Sequence, residues 1–186
     1  MNATSAWSGQ HARLRAPEPT DWEPFWQASH DTESQRFGHE VGFPESVAGV
    51  RRRFEEEALV DGSTAARFML VIESLSDGLP VGAINVHGLD RRNGTFEYGI
   101  TVFREYRGRG FASEAIVLLL RYCFGELRLQ KVNATVYAFN EPSLALHRSL
   151  GFVEEGRIRS NYFSAGEYHD EFWFGMTAAE FRGRHG

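Results

Sequence analysis

Arg107-Gly108-Arg109-Gly110 stands directly against a long apolar run, Phe111 to Leu120, and this junction restricts the fold more than any other stretch of the chain. A helix start leaves its first N–H groups unpaired and carries the positive end of the helix dipole, so bare backbone there can wrap an anion. Glycines let the chain turn closely around such a ligand. The run after the turn predicts a buried helix from about Gly110 to Phe124, and the stretch before it, Gly94 to Phe103, reads as a strand. Strand, glycine-rich basic turn and buried helix together make a phosphate cradle within an α/β fold.

Periodicity and punctuation supply the other elements. His11 to Ala16 alternates and stops at Pro17, a first strand. Thr20 and Glu23 have capping-box spacing, which predicts a helix from about Asp21 to His30 with Trp22 and Trp26 on its core stripe. A loop marked by glycine and proline, Arg36 to Ser46, leads to a helix over Val47 to Val60 with Val47, Val50, Phe54, Ala58 and Leu59 on one face. Arg67 to Phe103 holds three strands separated by turns at Ser76-Asp77-Gly78 and Asp90 to Gly94, an antiparallel meander. After the central helix come a strand, Lys131 to Ala138, a shorter helix beginning near Glu141-Pro142, and a hairpin turning at Ser164-Ala165-Gly166. A strand, helix, strand crossover makes Lys131 to Ala138 parallel to Thr95 to Phe103, so the sheet is mixed.

A length of 186 residues with 42% hydrophobic residues suits one core, read as a single domain over residues 11–182 behind a flexible N-terminus, residues 1–10. With 20 basic against 25 acidic residues and a formal charge of -5, the chain lacks the basic field that drives duplex binding, so no nucleic-acid partner is expected. No window reaches the roughly 18 apolar residues of a membrane span, and the N-terminus lacks a signal pattern. The single cysteine, Cys123, excludes an internal disulfide and reads as a small core residue, which fits a cytoplasmic location. His30, His39, His87 and His169 have no metal-ligand spacing with it or with one another, so no metal is expected.

Three phosphate loops can join a strand to a helix, and spacing separates them. The nucleoside-triphosphate loop needs Gly-Lys-Ser/Thr, whereas Gly110 is followed by Phe111 and Ala112. The dinucleotide fingerprint needs an acidic residue ending the next strand, where this chain has Tyr137-Ala138-Phe139-Asn140. Arg107, Gly110 and Ala112 instead satisfy Arg/Gln-x-x-Gly-x-Gly/Ala, which resembles the coenzyme A pyrophosphate loop of the GNAT superfamily of N-acetyltransferases. Past the next strand, Asn140 to Phe152 resembles that superfamily's Asn-x-x-Ser/Ala, helix and Gly-Phe signature. The resemblance runs through nearly the whole chain and is nearest to the branch of ribosomal-protein N-terminal and spermidine acetyltransferases. It implies an α/β fold with a twisted mixed sheet of about seven strands, splayed between the fourth and fifth, flanked by about four helices.

The resemblance also implies chemistry: acetyl-CoA as cosubstrate, and direct attack on it by a primary amine of a small molecule or a protein N-terminus. Arg107, Gly108, Arg109, Gly110, Phe111, Ala112 and Ser113 would hold the pyrophosphate. The backbone of Ile100, Thr101 and Val102 would pair with the pantetheine arm like an added strand. Asn140 and Ser143 would cap a helix and reach the coenzyme. Glu97 stands where many relatives carry the glutamate that removes the amine proton, or orients the substrate. His147 stands four residues before Gly151, where many relatives carry a tyrosine acid. That departure leaves a non-catalytic acyl-CoA-binding module as the alternative. Glu33 and Glu40 suggest a negative approach for the amine, and the oligomeric state is open, a homodimer included.

Overall fold

The structure, a computed structural model, describes residues 5–186. Ala12–Arg15 (β1) leads through a 3-10 turn, Pro19–Asp21, to helices Trp22–Ala28 (α1), Thr32–Gly38 (α2) and Val47–Glu57 (α3). The meander Phe68–Ser74 (β2), Pro80–Asp90 (β3) and Thr95–Val102 (β4) precedes the central helix Phe111–Gly125 (α4). Lys131–Tyr137 (β5), Glu141–Leu150 (α5), the hairpin Val153–Ser164 (β6) and Glu167–Thr177 (β7), and Ala178–His185 (α6) follow. The sheet has seven strands in the order β1-β2-β3-β4-β5-β7-β6.

One continuous core lies between the sheet and α4, where Ala115, Ile116, Leu118, Leu119, Leu120 and Cys123 are all buried against Ile84, Phe96 and Val132. Burial pushes the Cys123 thiol up to about 12, which leaves it inert as a nucleophile. The ordered chain begins before His11. Trp7 packs on Tyr122 with ring centroids 4.2 Å apart, and Glu114 accepts the backbone N–H groups of Gln10, His11 and Ala12. Residues 1–4 of the expected N-terminal tail lie outside the described residues. The fold also continues past residue 182, because α6 is closed by a Thr177–Glu180 capping box and buries Phe181.

The first helical region differs from its expectation. The capping box is formed by Glu18 and Asp21, not by Thr20 and Glu23. Arg15 fixes Asp21 with two bonds of 2.7 and 2.8 Å, a fork that satisfies a buried carboxylate. Phe25 is the ring that meets the core, 4.8 Å from Phe54 and 5.0 Å from Phe103, and all three of Trp22, Phe25 and Trp26 are half-buried. The helix stops at Ala28, and Asp31 caps a new one, α2, by accepting the Ser34 N–H. Further on, α3 ends at Glu57, so Leu59 lies beyond the helix and is exposed.

The sheet opens in its middle. Strand β5 runs parallel to β4 for only three residue pairs, Thr95 with Lys131 through Glu97 with Asn133. Beyond them β4 stays paired to β3 as far as Val102, and β5 to β7 as far as Tyr137. Each half keeps its own partners and its own twist, so the two strands diverge and leave a wedge with its apex at Glu97.

Candidate active site

The wedge is a cleft of about 800 Å³. Its walls are β4 from Tyr98 to Val102 and β5 from Ala134 to Tyr137, and its floor is the start of α5. Arg107, Gly108, Gly110, Phe111, Ala112 and Ser113 close the far end.

Backbone geometry makes that end fit a pyrophosphate. Gly108 and Gly110 have φ of 72° and 85°, the left-handed region that residues with a Cβ avoid. A Cβ built on either would meet no atom within 4 Å, so both glycines face open space. Helix α4 first closes with Glu114 N–H on Gly110 O, which leaves the N–H groups of Phe111, Ala112 and Ser113 without an intrahelical acceptor. Arg107 lines the cleft and also braces it. Its guanidinium donates to Val102 O at 3.2 Å and to Ser34 Oγ at 2.6 Å, tying the cradle to β4 and α2. Arg109 lies over the Tyr106 ring at 5.4 Å.

Strand β4 supplies a free edge. Phe103 N–H bonds Val81 O, and the antiparallel ladder alternates, so Thr101 directs its N–H and C=O at Ala83. Tyr98, Ile100 and Val102 direct theirs into the wedge, where β5 has already departed. The sequence grouping of Ile100, Thr101 and Val102 therefore divides. Ile100 offers its N–H and C=O and Val102 its N–H to an extended ligand, Val102 O being bonded by Arg107, and Thr101 offers its exposed side chain to the other face.

Glu97 lies at the apex, its side chain 34% exposed, with Oε2 3.8 Å from His87 Nε2. The ladder pairs His87 directly with Glu97, which places the two on one face. Asn140 caps α5 by accepting Ser143 N–H at 3.2 Å, and its Nδ2 donates to Phe37 O at 3.1 Å. Both ends of the amide are engaged within the protein, joining α5 to α2, and Asn140 and Ser143 both line the cleft.

His147 is 3% exposed and packed between Tyr98, Phe152 and Phe174. Its Nδ1 is 2.8 Å from Ser143 O, and a carbonyl only accepts, so Nδ1 carries the proton. Nε2 is then the acceptor for the Tyr98 hydroxyl, 2.8 Å away. Burial lowers the pKa of His147, overcoming the Ser143 carbonyl that raises it, and burial raises that of Tyr98. The pair holds a neutral imidazole and a protonated phenol. Sequence reasoning singled out His147 and missed Tyr98. The alternation Phe96, Tyr98, Ile100 marks Tyr98 as inward, but its partner is 49 residues away.

The negative approach is narrower than Glu33 and Glu40 suggest. Arg104 binds Glu33 at 2.6 Å and Asp31 at 2.7 Å, which offsets one of the two negative charges and holds the Asp31 carboxyl well below its usual range. Among the described residues no group of three or more His, Cys, Asp or Glu could hold a metal ion, and no helix is long and apolar enough to cross a membrane.

Residues 11–153 match the family Acetyltransferase (GNAT) domain. The chain is 44% identical over 184 residues, 99% of each sequence, to the SPbeta prophage-derived uncharacterized N-acetyltransferase YokL of Bacillus subtilis (strain 168). It is 30% identical over 176 residues to the putative ribosomal N-acetyltransferase YdaF of the same organism, covering 94% of this chain and 95% of that one. Among solved structures, the spermidine N-acetyltransferase from Vibrio cholerae in complex with CoA and spermine superimposes with a TM-score of 0.80 at 23% identity, over 92% of this chain and 98% of that chain.

Proposed function

The chain belongs to the GNAT family of acetyltransferases and moves an acetyl group from acetyl-CoA to an amine, and we propose that the amine attacks directly across the β4–β5 wedge. The observation that carries this reading is the free β4 edge leading from the Gly108–Gly110 cradle to a carboxylate at the apex. Acetyl-CoA supplies an activated acyl carbon. The N–H groups at the start of α4 hold its pyrophosphate, and the edge groups of Ile100 and Val102 hold the pantetheine arm as an added strand.

Amide formation requires a neutral amine. Glu97 takes one proton from the ammonium as it arrives and a second as the nitrogen–carbon bond forms, with solvent relieving it between the two. As the carbon–sulfur bond breaks, the sulfur keeps the bonding pair and receives a proton. The tautomer of His147 supports a change of role there, because its one N–H points away at Ser143 O. The Tyr98 O–H is turned to His147 Nε2 in this arrangement; as the thiolate forms it rotates to the sulfur and gives up its proton, with His147 the positioning residue behind it. Solvent then restores the phenol. A single buried cysteine with no disulfide partner in the chain suits a cytoplasmic enzyme.

Thiol release from acetyl-CoA in the presence of a panel of amines tests the reading. Turnover with at least one amine, lost in Glu97→Gln with acetyl-CoA affinity kept, is the expected result. Calorimetric binding of acetyl-CoA without turnover of any amine would favour a binding module.

A further inference from the structure

The approach to Glu97 lies on the face of the sheet opposite α4, where β3 and β4 present His87, Glu97 and Thr101, and β5 and β7 present Tyr137 and Glu171. The last turn of α2, Phe37 to His39, covers this approach.

Two features of this approach bear on what it selects. One is aromatic surface held rigid. The Tyr137 ring stacks on Tyr162 with centroids 3.8 Å apart and 16° between planes, and Phe139 lies 5.6 Å from Tyr137 at 19°. Phe139 in turn stacks on Phe37 at 6.2 Å. Hydrogen bonds fix the array: His39 Nδ1 is 3.1 Å from the Tyr137 hydroxyl, and the Tyr162 hydroxyl donates to His39 O. Phe37 and Tyr137 line the cleft, and the other two rings back them. The second feature is sparse negative charge. Among the described residues Glu171 and Glu40 have no cationic partner, whereas Asp31 and Glu33 are both taken by Arg104. Glu171 lines the cleft beside Tyr137, four residues along β5 from the Asn133 that pairs with Glu97, and is bonded only to the neutral amide of Asn161. The Tyr137 phenol is pushed up to about 12, first by burial and then by Tyr162, Glu171 and Glu40, which marks the local field as negative.

A polyamine brings several ammonium groups spaced along a flexible chain and calls for a matching row of free carboxylates. This approach offers separated carboxylates, Glu171 beside Tyr137 and Glu97 at the apex, and a flat apolar surface beside Glu171. We infer that the acceptor is a monoamine carried on an aromatic body, with its ring against Tyr137 and Phe37 beside Glu171 and its amine directed along the cleft toward Glu97. The inference rests on the acetyl-transfer reading of the same cleft. Rigid ring surfaces favour such a body because stacking and cation–π contacts form without a further ordering cost.

The experiment compares 2-phenylethylamine, n-butylamine, spermidine and a tetrapeptide with a free N-terminus, in the wild type and in Tyr137→Ala, Tyr137→Phe and Glu171→Gln. Turnover is read by thiol release, and binding of each amine to the CoA-loaded protein by calorimetry. We expect 2-phenylethylamine to have the highest kcat/KM. Tyr137→Ala should lower it about tenfold, mainly through KM, the size of one lost stacking contact. Tyr137→Phe should retain it, n-butylamine should be nearly indifferent to both, and Glu171→Gln should weaken every ammonium ligand. Spermidine or the peptide as the best acceptor, or an equal loss for all amines in Tyr137→Ala, would overturn the inference. Calorimetry keeps the two readings apart: 2-phenylethylamine bound in a Tyr137-dependent way upholds this site even without turnover, and its failure to bind refutes it even where another amine is acetylated.

Discussion

Tyr98→Phe removes one oxygen from a place where Tyr98 is 5% and His147 3% exposed. The 2.8 Å bond is lost, and His147 Nε2 becomes a buried acceptor with no donor. A neutral hydrogen bond contributes about 1 kcal/mol net, and an orphaned buried polar atom costs about 1–3 kcal/mol, so the variant should lose stability within that range. The phenyl ring keeps its contacts with Phe152 and the His147 face, so no cavity term is added. Urea unfolding with an unchanged slope measures the loss. The double variant Tyr98→Phe/His147→Leu removes both polar groups and should cost less than the sum of the single changes, by about 0.5–3 kcal/mol. Nitrogen chemical shifts of His147 should report a proton on Nδ1. In kinetics, Tyr98→Phe should lower kcat while acetyl-CoA affinity holds. A variant within about 0.5 kcal/mol of wild type, with additive double-mutant energies, would mean that the pair is not coupled. A proton found on Nε2 would reverse the assigned donor, make Tyr98 Oη the acceptor and refute the tautomer argument.

Three further outcomes follow from the same geometry. Gly110→Asp places a carboxylate in the cradle at a left-handed position and should weaken acetyl-CoA binding at least tenfold in a folded protein; Gly110→Ala, which adds only backbone strain of about 1–2 kcal/mol, separates charge from conformation, and equal calorimetric affinity of the Asp variant would locate the phosphate elsewhere. Glu97→Gln should reduce kcat by about 10²-fold or more with little change in acetyl-CoA affinity, and a raised amine KM at wild-type kcat would make Glu97 an orienting group instead. Burial depresses the His147 pKa, so near and below the reference value of about 6.5 the unfolded chain binds a proton that the folded one refuses. That contribution to stability is complete above pH about 6.5 and declines on acidification, by up to about 1.4 kcal/mol per pH unit, until the folded value is reached; chemical denaturation across pH 5–8 should show this slope, and His147→Leu should lack it.

Local and periodic features were legible in the chain itself. The glycine pair before an apolar run determines a helix start with bare N–H groups, because no other residue type takes those backbone angles cheaply and no partner is needed to leave the first turn unpaired. The meander, the parallel crossover and the turn at Ala165-Gly166 follow in the same way from alternation and punctuation over a few residues. Helix α2 had a readable cap in Asp31 and Ser34, but its seven residues carry no buried side chain and hence no periodicity to read. The facing of Trp22, Phe25 and Trp26 depended on where Phe54 and Phe103 arrive, which no spacing within the helix specifies.

Tertiary structure alone decided what each polar group does. Arg107 carries the right motif, yet its side chain serves as a tie to Ser34, 73 residues away. Glu33 seemed free until Arg104 reached it across 71 residues. His147 was legible as a departure from a family pattern, but its tautomer came from Tyr98 and Ser143, and the Tyr137 array was assembled from β5, β6 and the end of α2. Backbone conformation is governed by sterics between neighbours in sequence, so a short stretch determines it. Protonation, charge cancellation and ring stacking are governed by groups within a few ångströms in space, and only the folded chain brings those together.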